Sequence, residues 1–277
     1  MSKSSRKMGI VLIVIGIFML GAVGVKWVFT GNFVDVVSGV DGEVAEEGSK
    51  TFDPSAIKKV VVRNSVGEIN VQGDGNAKEA TVHYTKYVAS KWGMGSRQVA
   101  VERADVDVQV KGDRAVIEVT LPDGSFLAPS VYLSLDITLP PNVEVETENK
   151  VGGINIAGMN TPVRATNDVG NITIDGFRES VDATASAGAI SIRGGQAIKD
   201  VMAESAVGRI DIELPRDARL NVRAKTDTGS ISSSFNELDS HVEKLTTGAR
   251  LNAQIGDGSQ GTIDLTSDTG SIKIFRQ

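Results

Sequence analysis

Gly152-Gly153-Ile154-Asn155-Ile156 is the first of six copies of one sequence pattern: a glycine, a variable residue, and two alternating positions that are mostly isoleucine. The other copies begin at Gly170, Gly188, Gly208, Gly229 and Gly270, and an isolated seventh copy begins at Gly67. Successive glycines from Gly152 onward lie 18, 18, 20, 21 and 41 residues apart. A regular period of about twenty residues indicates stacked repeats, in which no single unit buries its own apolar face.

Each repeat contains two short strands in which apolar and polar residues alternate, so one face of each strand points inward. Stacking aligns the isoleucines that follow the glycine in one column, and a second column faces it from the preceding strand. We expect the second column to contain Val145, Ala165, Ala183, Ala203, Ala224 and Leu265. The glycine between the two strands supplies the positive φ angle that a sharp corner requires. The sequence therefore predicts an all-β parallel β-solenoid, with regular repeats at residues 141–277.

A left-handed solenoid of hexapeptide repeats is the alternative, because its turns also contain about 18 residues. That pattern requires an aliphatic residue at every sixth position, but the sixth and twelfth residues after Ile154 are Asn160 and Thr166. We therefore expect a right-handed solenoid, which has the usual hand of β crossovers. The long interval between Gly229 and Gly270 predicts one degenerate turn around Leu251-Asn252-Ala253.

Residues 51–140 predict an irregular β section that covers one end of the repeats. Alternating apolar and polar residues favour strands there. The predicted strands are Ile57–Arg63, Ala80–Ala89, Val106–Leu121 with a turn at Lys111-Gly112-Asp113, and Val131–Leu139, with a loop at Ser90–Arg97. At the other end, Lys273 and Arg276 of the last copy provide charges that discourage end-to-end association.

An apolar run near the N-terminus predicts a membrane span. Met8 to Phe29 is 22 residues long, close to the ~20 that cross a bilayer, and the basic residues before it favour a cytoplasmic N-terminus. We expect a cytoplasmic tail at residues 1–8, a transmembrane anchor at 9–29, a linker at 30–50 and an extracytoplasmic body at 51–277. A cleaved signal peptide is the alternative, and Ala22-Val23-Gly24 is the nearby small-x-small site.

The composition excludes several functions. Four of the 29 basic residues lie in residues 1–30, which leaves 25 against 35 acidic residues in the rest of the chain. Because an acidic body repels phosphate backbones, nucleic acid is not an expected partner. The chain has no cysteine, which excludes disulfides, thiolate metal sites and a cysteine nucleophile.

Three short motifs match functional signatures, but each has a structural explanation. Residues 256–261 match the dinucleotide-binding fingerprint, yet a predicted strand follows them where that chemistry needs a helix, which favours a loop between rungs. Lys111-Gly112-Asp113 resembles an integrin-binding tripeptide, but Gly-Asp between two alternating strands is ordinary hairpin chemistry. Asn171-Ile172-Thr173 is a glycosylation sequon that lies inside a predicted strand.

Candidate metal and catalytic residues are few. His83 and His241 are the only histidines and lie far apart in sequence, which disfavours zinc coordination and a Ser-His-Asp arrangement. Asp168, Asp227 and Asp268 recur near the corner glycine, where turn formation explains them better than calcium binding, because the calcium-solenoid nonapeptide is absent. We therefore assign no catalytic, cofactor-binding or metal-binding residue.

The outward positions of the Gly-x-Ile strands predict a flat polar face. They are Asn155, Thr173, Ser191, Asp211, Ser232 and Lys273. Carbohydrate-active solenoids usually carry aromatic platforms and clustered carboxylates, and this row has neither. The row therefore disfavours a glycan-active enzyme, although its hydrogen-bonding groups could hold a polymer weakly.

Together these features resemble the bacterial "putative adhesin" domain of unknown function, which includes LiaG-type proteins associated with envelope-stress operons. The resemblance covers about residues 50–277 and rests on the anchor, the early unit at Gly67–Val71, the irregular β section and the terminal Asp268-Thr269-Gly270-Ser271-Ile272-Lys273-Ile274. It brings no catalytic residues. It implies a non-enzymatic, membrane-anchored solenoid for adhesion or for contact with a cell-wall polymer or envelope protein. The alternatives are a regulatory accessory protein of an envelope-stress system and, third, a cell-wall glycan-active enzyme.

Overall fold

The computed structural model describes residues 42–89, 97–122, 131–194 and 198–277 of the chain. The predicted tail at residues 1–8, the predicted anchor at 9–29 and the first part of the predicted linker lie outside these ranges. Within the described ranges, no helix combines the length and the apolar character that a membrane span needs.

The described residues form 21 strands and two short helices, so the predicted all-β class is confirmed. The strands are β1 (Gly42–Phe52), β2 (Lys59–Val66), β3 (Ile69–Gly73), β4 (Ala80–Ala89), β5 (Asp105–Lys111), β6 (Arg114–Thr120), β7 (Val131–Leu139), β8 (Glu144–Val151), β9 (Ile154–Ala157), β10 (Val163–Val169), β11 (Ile172–Phe177), β12 (Val181–Ala187), β13 (Ile190–Gly194), β14 (Val201–Val207), β15 (Ile210–Leu214), β16 (Leu220–Thr228), β17 (Ile231–Ser233), β18 (Glu243–Lys244), β19 (Ala249–Gln254), β20 (Gly261–Thr269) and β21 (Ile272–Arg276). The helices are α1 (Arg97–Arg103) and α2 (Asn236–Asp239).

The strands form two large sheets whose central strands run parallel, which is the stacked arrangement that the repeats predict. Sheet I has ten strands in the order β1-β4-β7-β3-β9-β11-β13-β15-β21-β17. Sheet II has eleven strands in the order β18-β19-β16-β20-β14-β12-β10-β8-β2-β6-β5. Each regular rung contributes one strand to each sheet, as β10 and β11 do. The right-handed coil stays a prediction.

The predicted isoleucine column is confirmed in sheet I. Its members are register partners on adjacent strands, and each residue is at most 6% exposed. In spatial order they are Ile69, Ile154, Ile172, Ile190, Ile210, Ile272 and Ile231. The early copy at Gly67 is therefore a full rung, because β3 pairs directly with β9 although much of the irregular section separates them in sequence.

The facing column of sheet II differs from the prediction at one rung. Val145 pairs with Val163, and Thr147 pairs with Ala165. The column that contains the alanines is Thr147, Ala165, Ala183, Ala203, Leu265 and Ala224. Residues of this sheet align by their distance from the corner glycine that follows them. Val145 and Val163 each lie seven residues before that glycine, so they pair with each other.

The rungs do not stack in sequence order at the C-terminal end. β20 lies between β14 and β16 in sheet II, and β21 lies between β15 and β17 in sheet I. The rung that contains Gly270 is therefore inserted between those of Gly208 and Gly229. Lys273 and Arg276 belong to this inserted rung, so the prediction that they close the end of the stack is wrong.

The predicted degenerate turn around Leu251 is also wrong. β19 pairs antiparallel with β16, so Leu251 lies opposite Ala224 without forming a parallel rung. β18 pairs antiparallel with β19, and α2 buries Leu238 against the same end of the molecule. These elements close the stack on the side opposite β1 and β5.

The irregular β section forms the other end of the stack, as predicted. β4 and β7 have the predicted bounds and pair antiparallel, and the β5–β6 hairpin turns at Gly112. Lys86 of β4 is only 5% exposed; its ammonium donates to the carbonyl oxygen of Val101 in α1 (3.3 Å) and pairs with Glu46 of β1 (3.0 Å). The sequence pattern did not indicate α1.

The linker predicted at residues 30–50 is in part a strand. β1 pairs antiparallel with β4 at ten positions between Gly42 and Phe52, with an irregularity between Val44 and Glu46. Its side chains are mostly exposed. An edge strand of this kind is held by backbone hydrogen bonds, so it needs no alternating apolar pattern and gives little sequence signal.

The corner glycines form a column in which no side chain fits. From Gly152 onward their φ angles lie between +130° and +155°, a region that strains any residue with a Cβ. A Cβ added to any of them would lie 1.7 to 2.0 Å from the carbonyl oxygen of the preceding glycine in the column. The order of these contacts is Gly67, Gly152, Gly170, Gly188, Gly208, Gly270 and Gly229.

A buried polar column runs beside the glycines, three residues before six of the seven. Asn149 and Asn167 donate their side-chain amides to the carbonyl oxygens of Gly67 and Gly152, both at 2.8 Å. The hydroxyls of Ser205, Ser267 and Thr226 donate to the glycines of their preceding rungs in the same way. Each of these side chains therefore ties one rung to the next from inside the core.

Replacing Gly188 with alanine tests the close approach at the corner. Its φ is +148° and the added Cβ would lie 2.0 Å from the carbonyl oxygen of Gly170. We expect the free energy of unfolding to fall by more than the ~1 to 3 kcal/mol that backbone strain alone costs. Urea unfolding of the full chain in detergent, followed by circular dichroism, measures the loss. Gly75→Ala is the control, because no atom lies within 4 Å of its added Cβ, and an equal effect at both positions would contradict the packing argument.

Deleting residues 261–277 tests the insertion of the last rung. The deletion removes β20 and β21, so β16 loses its parallel partner and β14 and β15 expose unpaired edges. We expect residues 216–255 to become sensitive to protease while the rungs before β14 stay protected. Limited proteolysis with mass spectrometry of the full and shortened chains measures this. Equal protection of residues 216–255 in both chains would show that the inserted rung does not hold them.

Candidate functional site

The outward faces of both sheets carry charged and amide side chains that pair from rung to rung. On sheet II, the Lys59 ammonium lies 2.7 Å from Glu144 and 2.8 Å from Glu146. On sheet I, Asn155 donates to Asn70 at 2.8 Å, and Asn70 donates in turn to Asp136. Many polar groups on these faces are therefore already engaged with a neighbour on the next strand.

These pairs shift the proton affinities of their members. Hydrogen bonds to Glu144 and Glu146 raise the pKa of Lys59, and the hydrogen bond from Lys59 lowers the pKa of Glu146. The two-pronged hydrogen bond from Arg223 lowers the pKa of Asp264 in the same way. All these groups stay charged at neutral pH, so the faces are ladders of ion pairs.

The outward row predicted for sheet I is confirmed, with one change in order. Register pairing aligns Asn155, Thr173, Ser191 and Asp211, and Lys273 then stands between Asp211 and Ser232 because β21 is inserted. The row also continues to Asn70 and Asp136 on the other side of Asn155.

A cleft, which we call the distal cleft, lies at the end of the stack opposite β1. It has a volume of about 610 Å³ and opens between the outward face of sheet II and the segment that follows α2. Its lining residues come from β16, β20 and β19 on one side, and from residues 240–243 on the other. The polar members are Arg223, Lys225, Asp264, Thr266, Arg250, Asn252, Ser240, His241 and Glu243.

Three cations of the distal cleft lie on two neighbouring strands. Arg223 and Lys225 share the outward face of β16, and Arg250 is the register partner of Lys225 on β19. Arg223 donates to both carboxylate oxygens of Asp264 at 2.6 and 2.8 Å. Lys225 pairs at 2.6 Å with Asp227 of its own strand.

The opposite wall of the distal cleft contains the exposed His241. Its Nδ1 lies 2.8 Å from the carbonyl oxygen of Glu237 and 3.1 Å from the hydroxyl oxygen of Ser240. A carbonyl oxygen only accepts, so this contact assigns the hydrogen to Nδ1. Nδ1 is then unable to take a proton from Ser240, which is what a nucleophilic serine needs from its histidine. His83 lies on β4 at the other end of the stack.

A smaller groove of about 280 Å³ lies midway along sheet II. Asp182, Asp200 and Asp264 line it together with Arg164, which pairs with Asp182 at 3.0 Å. Met202 in the same groove is 47% exposed. Four carboxylates, those of Glu144, Asp182, Asp200 and Asp264, outnumber Arg164 among its charged members, so the groove is acidic.

The structure confirms the predictions for the short motifs. Residues 256–261 connect β19 to β20, a strand, so the helix that dinucleotide binding needs does not follow them. Lys111-Gly112-Asp113 forms the β5–β6 turn, with Gly112 at φ +63°. Asn171-Ile172-Thr173 runs into β11, where Ile172 is fully buried.

The corner aspartates do not form one cluster. Asp227 and Asp268 lie on the adjacent strands β16 and β20, whereas β12 and β14 separate Asp168 from them. Desolvation raises the pKa of Asp168, while the nearby Lys150 opposes that rise. Across the described ranges, no group of three or more histidine, cysteine, aspartate or glutamate residues is placed to hold a metal ion.

Sequence reasoning missed two features that the structure brings together. The buried polar column had a visible signal, since asparagine, serine or threonine stands three residues before six of the seven repeat glycines. The grouping of Lys225 with Arg250 had no such signal, because it depends on the antiparallel register between β16 and β19.

Comparison with known proteins supports the assignment of a family. Similar solved structures include a "putative cell adhesion protein" from Clostridium sporogenes, with 16% identity, 84% of this chain and 99% of that chain covered, and a TM-score of 0.47. Another is a "putative adhesin" from Bacteroides fragilis, with 12% identity, coverage of 83% and 97%, and a TM-score of 0.32. A comparison with curated proteins found no match. The family model described as Toastrack DUF4097 matches residues 36–275, which is most of the chain, and the chain belongs to that family.

Proposed function

We propose that this protein is a non-enzymatic, membrane-anchored solenoid that makes adhesive or cell-envelope contacts outside the cytoplasm. The observation that carries the proposal is that β1 and the distal cleft lie at opposite ends of the stack. β1, which follows the predicted anchor at residues 9–29, is the edge strand at one end of sheet I, and the distal cleft lies at the opposite end. The distal cleft thus lies at the end of the stack farthest from β1, the strand that follows the predicted anchor.

The length of the stack suits contact at a distance from a membrane. Sheet II contains eleven strands, and at ~4.8 Å per strand spacing the stack is roughly 50 Å long. A partner in the surrounding envelope therefore meets the distal cleft before it meets the membrane surface.

The stack is also stiff, because each regular rung is fixed to the next in two ways and most of them in a third. Parallel backbone ladders join the strands of both sheets, the isoleucine column packs between them, and the buried polar column ties the corners. Close packing of this kind transmits position along the structure without a hinge. A binding surface that is held at a distance from a membrane requires a rigid spacer of this kind.

The placement of the histidines supports the non-enzymatic part of the proposal. His83 and His241 lie at opposite ends of the stack, and the Nδ1 of His241 is occupied by the carbonyl oxygen of Glu237. Several acidic residues on the outward faces are paired with cations, as Asp264 is with Arg223. Paired carboxylates of lowered pKa are poor general acids at neutral pH.

Binding to purified cell walls tests the proposal. We expect liposomes that carry the full chain to co-sediment with walls, because the exposed end of the stack reaches the wall polymer. Liposomes that carry only residues 1–41 are the matched control. Equal sedimentation of the two preparations would sink the adhesion proposal.

An exchange of the anchor separates this function from the regulatory alternative. Replacing residues 9–29 with an unrelated span should leave wall binding unchanged, because the contact is made by the body. Retained wall binding together with loss of an envelope-stress reporter response would instead favour a regulator that acts on a membrane partner through its anchor.

A further inference from the structure

We infer that the distal cleft binds an anionic group, a phosphate or a carboxylate, through Lys225, Arg250 and Arg223. The inference deepens the proposed function, on which it rests for the source of the ligand: an acidic group of an envelope polymer.

Lys225 and Arg250 oppose each other directly across β16 and β19. Side chains in this position on one face of an antiparallel pair have Cβ atoms about 5 Å apart, and like charges there destabilise the sheet. Two other like-charged register pairs, Lys111 with Arg114 and Asp107 with Glu118, lie on the β5–β6 hairpin at the opposite end of sheet II. Lys225 and Arg250 also line the distal cleft together with a third cation, Arg223.

Arg250 has the least compensated charge of the three. In the described part of the chain it forms no ion pair, and its neighbour Glu243 on β18 is not engaged with it although the two are register partners. Lys225 is only partly compensated, since its pairing with Asp227 is on the surface and its side chain is 44% exposed. Like charges held together on one wall of a cleft attract an anionic ligand.

Arg223 supplies an oriented donor at the same place. Asp264 accepts from Nε and from one terminal nitrogen of its guanidinium, which fixes the plane of the group and leaves the other terminal nitrogen for a ligand. Arg223 stands two residues from Lys225, and alternate residues of a strand lie about 7 Å apart on one face. A planar guanidinium with a neighbouring point charge suits phosphate and carboxylate oxygens.

The other lining residues are compatible with a small anion. Asn252 lies opposite Arg223 on β19 and offers amide hydrogens, and Ser240 offers a hydroxyl from the facing wall. The cleft volume of about 610 Å³ accommodates a group larger than one phosphate. Glu243 and Asp264 are the acidic members of the lining, and Arg223 already holds Asp264.

The acidic body limits what can approach the cleft. The chain carries 35 acidic against 29 basic residues, so a long polyanion lying along the stack would be repelled. A short anionic segment that enters from the end meets the three cations first. Nucleic acid does not meet this condition, because its phosphates would also approach the acidic faces of the sheets.

Calorimetric titration of the full chain in detergent micelles tests the inference. The probes are tripolyphosphate and citrate, which distinguish phosphate from carboxylate recognition. We expect the variant Lys225→Gln, Arg250→Gln to bind the preferred probe at least about tenfold more weakly, since it lacks two charge-assisted contacts. Circular dichroism confirms that the variant is folded.

The matched control removes the same charge elsewhere. Arg164→Gln, Lys199→Gln neutralises two cations on the middle of the stack whose side chains are 61% and 57% exposed. We expect it to bind the probe within about twofold of the unchanged chain, because the long-range field is screened over ~10 Å. Equal weakening in both variants, or no binding of either probe by the unchanged chain, would overturn the inference.

Wall sedimentation separates this inference from the proposed function. Loss of wall binding in the Lys225→Gln, Arg250→Gln variant alone supports both. Undiminished wall binding by that variant removes the cleft as the wall contact and leaves the proposed function standing. Probe binding by a chain that does not sediment with walls leaves the anion site standing and removes the proposed function.

Discussion

The close approach of each corner glycine to the carbonyl oxygen of the preceding rung is the constraint on which this structure depends. At Gly188 an added Cβ would lie 2.0 Å from that oxygen, and the backbone there also has φ +148°. Only glycine satisfies both conditions. The corner sets the spacing between rungs, and the spacing in turn places every isoleucine of sheet I over its neighbour.

The corner also explains the polar residues inside an otherwise apolar core. The glycine carbonyls receive side-chain hydrogen bonds from the next rung, as Gly152 does from Asn167, and a buried carbonyl without a partner is costly. Ala185 occupies the equivalent position on β12 and offers no donor to Gly170. The polar column is thus a structural feature of the stack and carries no catalytic chemistry.

The ends of the stack differ, and the function we propose follows from that difference. One end is closed by β1, β5 and α1, and β1 follows the predicted anchor in the sequence. The other end is closed by β17, β18, β19 and α2. Ion pairs between rungs occupy much of the faces between these ends. Arg250, which forms no ion pair among the described residues, and the distal cleft occur together at the end of the stack opposite β1. A stiff stack therefore presents one chemically distinct surface at a distance.

The repeated Gly-x-Ile pattern by itself determined the all-β class, the parallel stack and the isoleucine column, because the period of a repeat and the conformational need for glycine are local properties. The strand bounds of β4 and β7 also followed from alternation along the chain. Tertiary structure alone decided that β20 and β21 insert beneath β16 and β17, that Leu251 lies in an antiparallel strand, and that Gly42 begins an edge strand. It likewise brought Lys225 to Arg250. Distant segments pair at the backbone edges that the regular rungs leave free. No residue pattern within either segment records which edge is used.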